Sequence, residues 1–156
     1  MYILKNALTN IKRNPVRNLL VGIVFQPFNL LPGLSVIENI IFAMNVSGVK
    51  DKDKKVLVIK LLESVGFNED KGDRRVLKLS DGEEQRVAIA RSIAYDAKVI
   101  IADEPTGNLD KETETDIMAI FKDLAKQGKF VIIVTHSNNV AKMADVVYEL
   151  KPVKQD

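Results

Sequence analysis

Two adjacent carboxylates follow an apolar run in the second half of the chain. Residues 99–102 read Val-Ile-Ile-Ala, and Asp103 and Glu104 come directly after them. A buried strand of a parallel sheet carries the residues that follow it to the open edge of that sheet. There, one carboxylate can hold a metal-bound water while the other accepts a proton. Taken alone, such a pair is explained as well by helix capping or by solvation in a loop.

A second pattern marks the start of a predicted helix. Ser80 stands three residues before Glu83, which is the spacing of a capping box. The free N–H groups of such a helix start can also receive a phosphate, and Gly82 lets the backbone come close to it. Capping and phosphate binding are compatible, so both interpretations stay open for Ser80, Gly82 and Glu83.

Two further polar residues follow apolar runs. His136, the only histidine, comes after residues 130–135, and Gln26 comes after a short apolar segment. A lone histidine usually has no chemical role, and Gln26 could be an ordinary loop residue. At the carboxyl ends of parallel strands, however, both would join Asp103 and Glu104 at one edge of the sheet. We therefore predict that these four side chains converge.

Composition limits the class of protein. The 156 residues are 46% hydrophobic and 28% charged, which suits one soluble domain with a core. The chain has no cysteine, which excludes disulfides and thiolate sites. A net charge of +2 without a basic patch among aromatics gives no indication of nucleic-acid binding. The apolar run at residues 19–25 is too short to span a bilayer, and no signal peptide is evident, so a cytoplasmic location is expected.

The order of predicted elements indicates an α/β fold. Residues 1–23 form a basic amphipathic segment, either a surface helix packed on the domain or a segment at a membrane surface. A short strand at Val24 leads into a mainly helical subdomain at about residues 36–95. Strands and helices then alternate, and the apolar strands indicate a buried parallel sheet. These later elements are predicted at residues 98–102, 112–126, 130–135, 139–143 and 146–150, as strand, helix, strand, helix and strand.

Together these patterns resemble a known family. Leu79-Ser-Asp-Gly-Glu-Glu-Gln-Arg86 and Val99-Ile-Ile-Ala-Asp-Glu-Pro-Thr-Gly-Asn-Leu-Asp110 are similar to the signature and Walker B motifs of ATP-binding cassette (ABC) ATPases. Val24-Phe-Gln26 and the segment from Phe28 to Asn39 resemble the same family. The likeness covers about residues 24–150 and is nearest to ATPases of the lipoprotein-release and macrolide-export type. It implies a P-loop-NTPase-like parallel sheet with a helical subdomain.

The resemblance also implies roles for the candidate residues. The cofactors of the protein would be ATP and Mg²⁺. Its partners would be an ABC permease and a second ABC ATPase subunit, and it would lie at the inner face of the cell membrane. Within one subunit, Glu104 would activate water and His136 would contact the γ-phosphate, while Asp103 and Gln26 would serve the metal. The residues implied for nucleotide binding are Gln26, Ser80, Gly82, Glu83 and Asp110, the last of these in the loop that crosses to the partner subunit.

Two departures from the family pattern matter. Asp81 stands where the signature has its first glycine, which places a carboxylate near a triphosphate. These 156 residues also contain no G-x-x-x-x-G-K-[ST] phosphate loop, so the ATPase domain at residues 24–156 is expected to be partial, and residues 1–23 resemble the start of a permease. We therefore expect an ABC transporter ATP-binding subunit that binds ATP weakly alone. The alternative is a non-catalytic module that docks on a permease or on a complete ABC ATPase.

Overall fold

A parallel three-stranded sheet forms the centre of the fold. The computed structural model describes residues 20–26 and 28–150. Strands β1 (Val21–Val24), β2 (Val99–Asp103) and β3 (Phe130–Val134) lie side by side in that order, each parallel to its neighbour. The predicted parallel pairing of the two later strands is confirmed. The first strand starts at Val21, ahead of the predicted start at Val24, because Gly22 and Val24 are both buried against the rest of the domain.

The segment between β1 and β2 is helical, as predicted. It contains helices α1 (Val36–Val46), α2 (Lys54–Ser64) and α3 (Asp81–Ile93), with short 3₁₀ turns at Glu69–Lys71 and Val76–Lys78. Capping explains the bounds of α1 and α3: Ser35 and Ser80 each form a full capping box. After α2 the chain turns at Gly66, whose φ of +67° is readily adopted only by glycine.

Two more helices complete the fold. Helix α4 (Lys111–Lys126) packs on β3, α3 packs on β1, and the two helices contact each other. Helix α5 (Asn138–Met143) follows β3 and packs against α4. One continuous apolar core joins the sheet to the helices. Its largest fully buried apolar side chains include Ile40, Met44, Leu62, Ile89, Ile100, Ile117 and Phe121.

The predicted strand at residues 146–150 is wrong. The structure gives this segment a single-residue bridge at Tyr148 and no strand. Val147, Tyr148 and Leu150 are 46%, 49% and 66% exposed, so their apolar character does not reflect burial. A strand forms only where neighbours take its backbone hydrogen bonds, and the sheet within residues 20–26 and 28–150 does not extend to this segment.

The prediction for the N-terminal segment falls largely outside the described residues. Of residues 1–23, the structure describes those from Leu20 onward, and Val21 to Ile23 belong to β1. Among the described helices, none is long and apolar enough to cross a bilayer. The division of the chain at residue 23 stays a prediction.

Candidate functional site

The carboxylate pair lies where β2 ends. Asp103 is the last residue of the strand, pairs with Val134 of β3, and is exposed. Glu104 follows with a φ of +44°, a left-handed conformation that is uncommon for a residue with a side chain. Its N–H donates to the Val134 carbonyl at 2.8 Å. The chain therefore changes direction at Glu104, directly after its last hydrogen bond to β3.

Both carboxylate oxygens of Glu104 are held by the loop that follows β3. The backbone N–H of His136 donates to Oε1 at 2.8 Å, and the hydroxyl of Thr135 donates to Oε2 at 3.0 Å. His136 Nε2 lies 3.8 Å from Oε1, beyond hydrogen-bond distance, and its ring is fully exposed. The Glu104 side chain is 26% exposed, so solvent reaches the carboxylate. Two strand ends are thus joined at one carboxylate beside an open surface.

Gln26 reaches the same edge from β1. Its amide lies over Gly107, where an added Cβ would stand 2.8 Å from Oε1 and 3.1 Å from Nε2 of the glutamine. The turn that carries Gly107 closes back on Glu104, because the Gly107 N–H donates to the Glu104 carbonyl at 3.2 Å. The four residues expected to converge therefore all lie at the carboxyl edge of the sheet. Their chemical roles stay a prediction.

The remaining predicted residues lie at two helix starts. Ser80 caps α3: its hydroxyl accepts from the Glu83 N–H at 3.4 Å, and Glu83 Oε2 accepts from the Ser80 N–H at 3.0 Å. Glu83 also forms an ion pair with Lys71, whose ammonium, together with the Ser80 N–H, lowers the pKa of Glu83. A Cβ added to Gly82 would lie 2.7 Å from the Thr113 methyl group of α4. The starts of α3 and α4 are therefore in close contact.

Asp110 caps α4. Its Oδ1 accepts from the N–H groups of Glu112 and Thr113 at 3.0 and 2.9 Å, and its Oδ2 accepts from the Thr113 hydroxyl at 2.9 Å. These donors, with Thr113 foremost, lower the pKa of Asp110. Within the part of the chain that the structure describes, no hydrogen bond joins the two helix caps to the residues at the strand ends. The site residues predicted from the sequence thus form two groups. The strand-end group is Gln26, Asp103, Glu104 and His136, and the helix-cap group is Ser80, Gly82, Glu83 and Asp110.

The start of α3 carries excess negative charge. Asp81, Glu83 and Glu84 all lie in its first turn, and Asp81 is exposed. Partial burial raises the pKa of Glu84, and repulsion from Asp81 raises it further. Carboxylates near a helix start neutralise part of its partial positive charge, so the attraction for an incoming anion is weaker. An exposed carboxylate at residue 81 would therefore repel a phosphate that approached this end, and binding of phosphate here stays a prediction.

The strand-end residues suit a magnesium ion that is held mainly by other groups. Among residues 20–26 and 28–150, no cluster of three or more acidic or histidine side chains forms a metal cage. Mg²⁺ is usually bound by one or two carboxylates, together with water and substrate phosphates. An exposed Asp103 carboxylate, with the Gln26 amide at the same edge, fits that kind of donor set.

Sequence reasoning missed several residues that build the site. In the sequence Thr135 only ends the apolar run before His136, yet its hydroxyl donates to Glu104. Arg91 donates from its guanidinium to the Asn29 and Phe28 carbonyls at 2.6 and 2.9 Å, which fixes the loop after Gln26 to α3. Burial lowers the pKa of Arg91. Neither contact leaves a local signal, because the partners are far apart along the chain.

The chain is similar in sequence to ABC transporter proteins. It is 44% identical over 141 residues to the ABC transporter ATP-binding protein YclH of Bacillus subtilis, covering 90% of this chain and 62% of that protein. It is also 44% identical over 136 residues to the macrolide export ATP-binding/permease protein MacB of Chlorobaculum tepidum, covering 87% of this chain and 21% of that protein. The chain thus spans about three fifths of the length of YclH and a much smaller part of MacB.

Solved structures agree with the sequence relatives. The dimeric structure of MJ0796, described as a bacterial ABC transporter cassette, superposes with a TM-score of 0.73 at 35% identity, covering 92% of this chain and 61% of that one. A post-hydrolysis dimer of MJ0796 bound to ADP and Pi gives a TM-score of 0.69. The fold is therefore that of an ABC ATPase cassette. Since the ABC transporter family model matches residues 2–107, more than half of the sequence, the chain belongs to the family of ABC transporter ATP-binding proteins.

Proposed function

We propose that the chain forms the ATP-binding part of an ABC transporter and couples ATP binding and hydrolysis to export or lipoprotein release. The observation that carries this proposal is the Glu104 carboxylate, held at both oxygens by the loop after β3 and partly open to solvent. A fixed carboxylate with free lone pairs is suited to orient a water molecule and take its proton. Family membership makes a nucleotide the expected substrate.

Each strand-end residue has a distinct proposed task. Glu104 would orient and deprotonate the attacking water, and the exposed ring of His136 would contact the terminal phosphate. Asp103 would hold Mg²⁺ through water, and Gln26 would sense the metal or the water. When bound, Mg²⁺ supplies charge neutralisation on the phosphates. The turn at Gly107 holds the Gln26 amide close to the backbone that leads from Glu104.

The helix-cap group is proposed to serve a second ABC ATPase subunit. Its members lie at two adjoining helix starts: Ser80, Gly82 and Glu83 at α3, and Asp110 at α4. Among the described residues, no hydrogen bond joins them to the strand-end group. The related MJ0796 was solved as a dimer, which supports this arrangement. The carboxylate of Asp81 would repel a phosphate and so weaken the binding of a partner's nucleotide at this face.

The proposed partner on the membrane side is an ABC permease. The macrolide export protein MacB joins an ATP-binding and a permease part in one protein, and this supports a permease partner for the chain. The helical subdomain at about residues 36–95 is the proposed docking region, and exposed apolar side chains such as Phe42 and Val46 lie there. The proposed location is peripheral, at the cytoplasmic face of the membrane, without a nucleic-acid partner.

We further propose that a polypeptide of these 156 residues binds ATP weakly and hydrolyses it negligibly by itself. The family's phosphate loop supplies most donors to the β- and γ-phosphates, together with a lysine charge, and the sequence from residue 1 to residue 156 does not contain it. The alternative is a non-catalytic module that docks on a permease or on a complete ABC ATPase. Asp81 favours that alternative, because its carboxylate weakens the attraction between the start of α3 and a nucleotide bound to a partner subunit.

Calorimetry distinguishes these readings. The 156-residue polypeptide is titrated with Mg-ATP alone and after mixing with a complete ABC cassette, using wild type, Asp81→Gly and Glu104→Gln. We expect little heat from the polypeptide alone. In the mixture we expect nucleotide binding that Asp81→Gly increases, and turnover above that of the cassette alone that Glu104→Gln removes. Micromolar affinity of the polypeptide alone would refute weak binding. Association with the cassette that leaves its nucleotide affinity and turnover unchanged would support the non-catalytic module.

A further inference from the structure

The hydroxyl of Thr135 has a fixed direction. Thr135 is 5% exposed and follows β3 directly. Its Oγ1 accepts from the Ser137 N–H at 3.0 Å and donates to Glu104 Oε2 at 3.0 Å. A hydroxyl has one proton to donate. The Ser137 N–H can only donate, whereas the carboxylate oxygen accepts, so the hydroxyl proton is directed at Glu104.

The second oxygen of Glu104 is held by the next residue along the same loop. The His136 N–H donates to Oε1 at 2.8 Å. Two donors from consecutive residues therefore fix the rotation of the carboxylate about its terminal bond. Among residues 20–26 and 28–150 each oxygen has one hydrogen-bond donor, which leaves lone pairs for water, and the side chain is 26% exposed, so water can reach an oriented carboxylate.

The loop that carries both donors is itself anchored to the helix layer. Ser137 caps α5 by accepting from the Val140 N–H at 3.3 Å, and its hydroxyl lies 3.4 Å from Glu114 Oε2. The same oxygen of Glu114 lies 3.4 Å from the Thr106 hydroxyl in the loop after β2. Glu114 is only 9% exposed. A buried carboxylate on α4 thus ties together the two loops whose ends meet at Glu104.

We propose that Thr135 is a positioning residue that sets the orientation of the Glu104 carboxylate. This inference rests on the proposed function for its consequence, since an oriented carboxylate matters only if Glu104 activates water. Thr135 is 5% exposed and its hydroxyl donates to Glu104, so its effect on the reaction would pass through that residue. Its hydroxyl is the necessary part, and its methyl group is not.

Two substitutions separate the hydroxyl from the bulk of the side chain. Thr135→Val keeps the shape and removes the hydroxyl, whereas Thr135→Ser keeps the hydroxyl; Thr135→Ala replaces the valine variant if that variant does not fold. NMR of the 156-residue polypeptide measures the scalar coupling between the His136 amide nitrogen and the Glu104 Cδ, which passes through the N–H···Oε1 hydrogen bond and is averaged away when the carboxylate rotates. We expect this coupling in wild type and Thr135→Ser, and its loss in Thr135→Val. A coupling retained in the valine variant would overturn the proposal, whatever the hydrolysis assay gives.

Hydrolysis in a mixture with a complete ABC cassette gives the second readout. A misplacement of about 1 Å can slow a reaction about 100-fold, so Thr135→Val should lower kcat about 10- to 100-fold with KM unchanged, and Thr135→Ser should restore it. Loss of the coupling with an unchanged kcat would also overturn the positioning role. A wild-type mixture without hydrolysis dependent on Glu104 would count against the proposed function, while the NMR result would still decide the orientation of the carboxylate.

Discussion

The contact between β1 and α3 gives the sharpest prediction for stability. Gly22 in β1 lies against the backbone of α3, and a Cβ added there would stand 2.3 Å from the Ser92 carbonyl oxygen and 3.0 Å from its carbonyl carbon. Ordinary contact starts at 3.4 Å, so the two backbones would have to separate by about 1 Å. The obstacle is a helix backbone, which cannot turn aside as the end of a flexible side chain can.

The expected effect of Gly22→Ala is a clear loss of stability. Overpacking a close-packed core typically costs about 1–3 kcal/mol. Alanine restricts the unfolded chain and returns about 0.4–1 kcal/mol at positions it fits, but the 2.3 Å contact shows that Gly22 is not such a position. We therefore expect the free energy of unfolding to fall by about 2–3 kcal/mol, and Tm to fall by about 4–12 °C for a chain of this size.

Urea denaturation followed by circular dichroism measures this loss. The midpoint should fall while the slope m stays unchanged, which indicates lost stability without a change in the surface exposed on unfolding. Gly33→Ala is the matched control, because a Cβ at Gly33 meets nothing within 4 Å, and its stability should stay within about 0.5 kcal/mol of wild type. Equal midpoints for the two variants would refute the close approach of β1 to α3.

Three further predictions concern the site and its supports. Glu83→Gln keeps the cap on α3 but removes the charge that Lys71 stabilises. Because the pKa of Glu83 is lowered in the folded state, its contribution to stability is present above the ordinary pKa of about 4.3 and is lost as pH falls through the lower folded value. The urea midpoints of variant and wild type should therefore converge on acidification through that range. Gly107→Ala should leave the urea midpoint nearly unchanged but displace the Gln26 amide, and a crystal structure with that amide in its original place would contradict the contact. Arg91→Ala removes a half-buried cation that donates to two backbone carbonyls of the loop after β1, so the free energy of unfolding should fall by about 1.5–3 kcal/mol and hydrogen exchange in that loop should accelerate. Unchanged exchange would contradict the anchoring role.

The sequence alone determined the elements and the family. Continuous apolar runs at residues 99–102 and 130–134 indicated buried parallel strands, because only a strand covered on both faces avoids polar residues. The capping box at Ser80 located the start of α3 for the same kind of local reason, since its two hydrogen bonds join residues within one turn. Carboxylates placed directly after an apolar strand were expected at the sheet edge, and Asp103 and Glu104 lie there.

Only the tertiary structure decided which groups touch. The hydroxyl of Thr135 and the carboxylate of Glu104 are 31 residues apart, and Arg91 is more than 60 residues from the carbonyls it holds. Hydrophobic periodicity reports that a face is buried, but it carries no information about the partner that covers it. The same limit explains the wrong strand at residues 146–150, because an apolar run does not show whether a neighbouring strand will pair with it, and none of the strands described pairs along this segment. Contacts between distant segments depend on how strands and helices pack, and that is settled only when the whole core forms.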